Sequence, residues 1–271
     1  MNLHLSLAQT LGLINLFLVV YIFIDSFEKL YNYREYLAGG LLSWNLLRKN
    51  SFFTSRPESF RNFIDIIFPA RPWFSLIALR IFCCLGLFVS TSGSPLLVCS
   101  YGGLFVIGSL LNLRNIAYGA ETENRFFLII IGALLLRSVV PTDTVTLAVF
   151  WFIGLQVCLS YLTAGVSKLM NANWRNGNGF KRIATSYELM PVKKVNVFFE
   201  ENKTLGRLIN WLVIFFECAF PVAFFVGHDL FWWFLVSGII LHVTIAFGLR
   251  LGKFFWIWIA TYPALIFITQ R

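Results

Sequence analysis

VTLAVFWFIGLQVCLSYLTAGVSK, residues 145–168, runs uncharged until its last position, Lys168. A helix rises about 1.5 Å per residue and the hydrocarbon core of a bilayer is about 30 Å thick, so a stretch of this length reads as a membrane crossing. Working outward from it, further apolar runs occupy residues 5–24, 73–90, 96–111, 126–140, 208–226, 231–249 and 254–269. The sequence therefore predicts an all-α, polytopic transmembrane helix bundle of about eight helices. Composition agrees: 58% of the 271 residues are hydrophobic and 13% charged, too apolar for a surface bathed in water. The run at 126–140 is short and has Arg125 and Arg137 near its ends, so it is expected to tilt little, thin the bilayer or be re-entrant. The run at 5–24 has neither a basic segment before it nor a small-residue cleavage site after it, and is expected to stay as a helix.

Two polar stretches break the pattern. Residues 25–71 carry Tyr31, Tyr33, Tyr36 and the sequence Gly39-Gly40-Leu41-Leu42-Ser43-Trp44, and residues 171–207 form the second; both are expected to hold amphipathic helices lying in the membrane interface. The chain is accordingly divided into residues 1–72, an N-terminal membrane helix with its interfacial segment, and residues 73–271, the bundle proper as one structural unit. It shows no internal repeat or low-complexity linker.

The net charge is +9, and 18 of the 22 lysines and arginines fall in alternate connections between the eight runs. The positive-inside rule places those connections in the cytoplasm and both termini outside. The basic excess thus reads as topology and contact with anionic lipid. Nucleic-acid binding is excluded, since the basic residues are dispersed and accompany no nucleic-acid module. The five cysteines all lie in apolar runs and are odd in number, which is unlike a secreted disulfide framework. Cys83 and Cys84 are adjacent, an arrangement open to redox chemistry, and are expected instead to be two small buried hydrophobes. No cysteine or histidine spacing suits a metal, and none is expected.

Four ionisable residues lie within or at the end of apolar runs: Arg80, Lys168, Glu217 and His242. Charge at membrane depth costs at least ~2.5 kcal/mol, which makes each a functional candidate. Arg80 is expected to fix helix packing by pairing with Glu217 or another polar group. Glu217 precedes Pro221 by one turn, where a backbone carbonyl loses its donor and a cavity or water is expected. His242, among Ile239, Ile240, Leu241 and Val243, needs a polar neighbour inside the bundle. Tyr161, Gly165 and Lys168, four and three apart, share one helical face, and the small Ala164 and Gly165 admit a close helix or a ligand beside the lysine. Lys168 has two readings: a lysine snorkelling from a helix end, or an amine kept neutral by an apolar pocket and able to take a proton.

The pattern Tyr-x-x-Ala-Gly-x-x-Lys-Leu at 161–169, followed by Trp174 and Gly177, resembles the signature of the vitamin K-dependent γ-carboxylase-like (HTTM) membrane family, which includes membrane proteins that mature bacterial sporulation-delaying toxins. Leu111-Asn112-Leu113-Arg114-Asn115 is similar to that family's Arg-Asn turn, and Phe216-Glu217 and Leu241-His242 to its later Glu- and His-bearing helices. The likeness runs from about Pro69 onward. It implies that Lys168 is the base that deprotonates a quinol of the menaquinone or vitamin K type. Glu217 and His242 would relay protons or hold a quinone oxygen, and Tyr161, Gly165, Arg114, Asn115 and Trp174 would line the cofactor's site. The implied activity is that of a quinol-dependent carboxylase/epoxidase-like or redox enzyme in the bacterial cytoplasmic membrane. The carboxylases carry a large soluble region after their helices, whereas this sequence stops at Arg271. The expectation therefore moves from glutamate carboxylation to the toxin-maturation type, in which a separately encoded partner protein and an exported peptide substrate take part. A non-catalytic assembly or toxin-maturation subunit is the alternative reading, and a transporter, which would favour duplicated broken helices, is the third. The charge count puts the Lys168 end of its helix in the cytoplasm, while an exported substrate points to the other face. Either one run fewer crosses before Lys168 or the substrate is reached from inside.

Overall fold

The computed structural model describes residues 4–91, 93–116, 122–179, 182, 202–224, 228–248 and 252–270. Among them there is no strand, and the described parts of all eight apolar runs are mainly helical. Six segments are long and apolar enough to cross a membrane: Leu7–Tyr31, Ala70–Val89, Pro95–Asn115, Asp143–Met170, Lys203–Val222 and Gly252–Thr269. Leu230–Ala246 is a shorter apolar helix. The chain is thus an all-α, multi-pass membrane protein whose natural solvent is a lipid bilayer.

In chain order, α1 (Leu7–Tyr31) is followed by the short α2 (Tyr33–Tyr36), α3 (Trp44–Leu47), α4 (Ser51–Thr54) and α5 (Glu58–Ile67), then by α6 (Ala70–Val89), α7 (Pro95–Asn115), α8 (Thr122–Val139) and α9 (Asp143–Met170). After the single turn α10 (Ala172–Arg175) come α11 (Lys203–Ala219) with a 3₁₀ extension over Phe220–Phe224, α12 (His228–Gly248), α13 (Gly252–Ile259) and α14 (Tyr262–Thr269). Local chemistry sets several starts. Ser94 caps α7 by accepting from the Leu97 amide, with Pro95 at the first position. The Thr142 hydroxyl accepts from the Val145 amide at 3.2 Å at the head of α9.

Several boundaries differ from expectation: α7 runs four residues past Leu111, to Asn115, and α11 begins five residues before Leu208, at Lys203. Helix α1 continues seven residues past the expected end at Ile24, because Asp25 and Lys29 pair one turn apart and Asp25 also pairs with Arg80. Helix α8 begins four residues before the expected Phe126, taking in Glu123 and Arg125. The run at 254–269 is two helices, broken at Ala260-Thr261, where the Thr261 hydroxyl donates to the Trp258 carbonyl and Pro263 opens α14. Most of the second expected interfacial stretch, residues 180, 181 and 183–201, lies outside the described residues, as do the expected helix ends at 226 and 249.

The chain forms two compact units: Asn15–Val149, and Met1–Ile14 with Phe150–Arg271. Within the first unit, Trp73 and Ile77 of α6 share one core with Tyr36, Trp44, Phe53 and Phe68 of the preceding stretch. Arg114, on α7, holds that stretch down: it donates to the Leu42 carbonyl at 2.7 Å, with its guanidinium 4.4 Å from the Trp73 ring centroid. Deeper in the same unit, Arg80 is fully buried in an ion cluster with Asp25 and Lys29, over the face of Phe127.

Candidate functional site

The site lies in the unit that contains Phe150–Arg271. Helix α9 presents Tyr161, Gly165 and Lys168 along one face, and all three are turned inward or half-buried. At Gly165 the neighbouring helix α11 comes so close that a Cβ would stand 2.8 Å from the Cys218 amide nitrogen and 3.0 Å from the Glu217 Cβ. Only the missing side chain permits this approach. It brings Lys168, one turn later, against Glu217: Nζ lies 2.7 Å from each carboxylate oxygen. The ring of Trp174 stands beside the amine, its centroid 5.1 Å from Nζ. Asn171 caps α10 by accepting from the Asn173 amide, and Gly177 takes a left-handed φ of +87° directly after this turn.

Asn210 ties the same loop to α11. It is fully buried two turns before Glu217, and its amide donates to the Trp174 carbonyl at 3.1 Å. Its Oδ1 has no hydrogen-bond partner among the described residues.

Two turns along α9 from Lys168 lies a second polar group. The Tyr161 hydroxyl is 2.7 Å from His242 Nε2 on α12 and 3.1 Å from the Tyr262 hydroxyl, the first residue of α14. All three side chains are buried. A Cβ on Gly238 would stand 2.4 Å from the Tyr262 hydroxyl, so α12 leaves room there for the tyrosine. The His242 ring stacks on Trp258 at 4.6 Å, and its Nδ1 has no hydrogen-bond partner among the described residues. Aromatic rings join the two groups: Phe216 on α11 and Phe220, which opens its 3₁₀ extension, pack on Tyr161 at 5.5 and 4.1 Å between centroids.

The structure thus brings together Tyr161, Gly165, Lys168, Trp174, Glu217 and His242. Arg114 and Asn115 lie in the other unit, the first engaged with Leu42, Tyr36 and Trp73 and the second ending α7. Glu217 pairs with Lys168, and Arg80 pairs with Asp25, so the alternative of an Arg80–Glu217 pair is not realised. Lys168 does not snorkel freely, because its amine is chelated by a buried carboxylate. Three residues of the site escaped the sequence reading. Asn210 is seven residues before Glu217 and so on its face, a helical spacing that would have found it. Tyr262 stands before Pro263 in what reads as one continuous apolar run, and Trp258 looks like any other apolar position there.

Chemically, the arrangement offers an ion pair, Nζ against both Glu217 oxygens, and a buried phenol–imidazole hydrogen bond, in surroundings built of aromatic rings. Buried polar atoms normally have partners, and two here have none among the described residues: Asn210 Oδ1, an acceptor that a hydroxyl could fill, and His242 Nδ1, which takes a hydroxyl in either tautomer or a carbonyl when it carries the proton. Comparison of the chain with protein families, with characterised proteins and with solved structures yields no match.

Proposed function

We propose that this chain is a quinol-linked membrane enzyme that modifies or matures an exported peptide together with a partner protein, in the manner of the γ-carboxylase-like proteins its lysine segment resembles. The observation that carries the reading is the chelation of Lys168 by Glu217, on the face that also bears Tyr161 and its contact with His242. A lysine and a glutamate sharing a proton in a water-poor site form a base on demand. A proton passing from Nζ to Oε leaves a neutral amine and a carboxylic acid, and the amine then takes a proton from a hydroxyl set beside it. Glu217 holds the first proton, so the pair carries one proton more once the hydroxyl is deprotonated, and it resets when Glu217 gives that proton up to solvent. Trp174 covers the amine and limits access of water.

The fit of a quinone-type molecule rests on His242, whose stacked ring leaves Nδ1 open for a ring oxygen while Tyr161 fixes Nε2. Such a group, when bound, supplies the redox chemistry that no side chain here can. Bacterial cytoplasmic-membrane residence, the peptide substrate and the partner protein belong to this same proposal.

The test is oxygen uptake by the full chain in nanodiscs supplied with reduced menaquinone. Uptake above that of empty nanodiscs, abolished in Lys168→Ala and reduced in His242→Phe, is the expected result. Uptake no greater than that of empty nanodiscs, or unchanged in Lys168→Ala, overturns the proposal. The latter result, with an intact fold, would favour a non-catalytic assembly subunit, a reading favoured by the complete pairing of Lys168 and Glu217.

A further inference from the structure

The short helices after α1 enclose a cleft of about 450 Å³ that none of the chemistry above uses. Its floor is apolar: Trp44, Phe53 and Ile64, each at most 5% exposed. Its one acidic lining residue, Asp65, is already engaged, since one oxygen accepts from the Trp44 indole at 2.7 Å and the other from Arg48 at 2.8 Å. The remaining charged lining residues are Lys49 and Arg61, exposed cations that form no ion pair among the described residues. The cleft therefore combines a greasy base with two unneutralised positive charges, which selects an anion attached to an apolar body.

The surroundings identify the source of that anion. Large apolar side chains on the same short elements face outward, with Leu46 48%, Phe63 51% and Ile66 71% exposed. Three such residues beside lysine and arginine are poorly suited to water and well suited to the boundary between headgroups and acyl chains. In sequence the stretch joins two membrane-spanning helices, α1 and α6, which keeps it close to that boundary. A volume of this size accepts a glycerophosphate headgroup while leaving acyl chains to run along Phe63 and Ile66.

We propose that this cleft is a binding site for an anionic glycerophospholipid whose phosphate sits between Lys49 and Arg61. The site is independent of the reaction assigned to Lys168. Its test is native mass spectrometry of the full chain released from a neutral detergent, after titration with phosphatidylglycerol or phosphatidylcholine. One phosphatidylglycerol is expected to be retained in preference to phosphatidylcholine. The double variant K49Q/R61Q should lose about twenty-five-fold of that preference, at roughly a fivefold share per cation, and K49R/R61K should keep it. Both residues are exposed, so neither variant disturbs the core. An unchanged preference in K49Q/R61Q overturns the proposal. So does displacement of the lipid by inorganic phosphate at equal concentration, which would assign the cleft to a free anion.

Discussion

At the scale of single residues, the Lys168–Glu217 pair separates structure from chemistry in a way that can be measured. Removing one partner strands a charge in a water-poor site, whereas removing both leaves apolar side chains that pack there. Lys168→Met alone is therefore expected to cost about 1–3 kcal/mol, the lower end allowing for the lysine's partial exposure. Lys168→Met with Glu217→Leu should recover most of that loss, as read by thermal unfolding in detergent, yet show no quinol-dependent oxygen uptake. Recovery of uptake along with stability would make the pair structural only. Tyr161→Phe removes a hydroxyl shared by His242 and Tyr262, and hydrogen bonds between membrane helices contribute about 0.6–1.7 kcal/mol. The same unfolding assay should show a loss in that range, and a neutral result would mean that the contact is not made in the bilayer. The sequence announced this site only where helical spacing reached it. Tyr161, Gly165 and Lys168 are one face of one helix and were legible. Asn210 was legible in principle, while Tyr262 and Trp258 meet His242 through tertiary packing across a helix break, which no local spacing encodes.

At the scale of elements, the crossing of α9 and α11 is set by a single absent methyl group. A Cβ at Gly165 would lie 2.7 Å from the Cys218 sulfur as well as against backbone, and backbone cannot swing aside as a flexible side chain can. Gly165→Ala is expected to destabilise the protein by about 1–3 kcal/mol through overpacking. It should also weaken the Lys168–Glu217 contact one turn away, so that oxygen uptake falls although neither charged residue has changed. Full activity and stability in Gly165→Ala would show that the helices separate at no cost. The helices themselves were largely readable because twenty apolar residues leave few alternatives to a crossing. Their ends were less so. Asp25 looks like a helix terminator, and it is instead a buried partner of Arg80 and Lys29 from which α1 runs on to Tyr31. Likewise the break at Ala260-Thr261 leaves the hydropathy of residues 254–269 intact, and Pro263 was its only sequence sign.

At the scale of the whole molecule, the membrane side of the Lys168 end depends on whether α8 crosses. Helix α8 has 18 residues, about 27 Å of rise against a hydrocarbon core of about 30 Å, so its length permits a crossing with slight thinning of the bilayer. Its charges argue less against this than the sequence alone implied, since Arg137 is buried and its Nε lies 3.4 Å from the Thr146 hydroxyl. If α8 crosses, the basic connection after α9 stays in the cytoplasm, in keeping with the distribution of lysine and arginine. If it does not, every later connection changes side and that agreement is lost. Single cysteines at the exposed positions Thr144 and Asn176, in a chain whose native cysteines have been replaced, report on the two ends of α9. The expected outcome in intact cells is labelling of Thr144→Cys by an impermeant maleimide, with Asn176→Cys labelled only after the membrane is opened. The reverse pattern would make α8 re-entrant and turn the Lys168 end outward, the face where an exported peptide would be met directly.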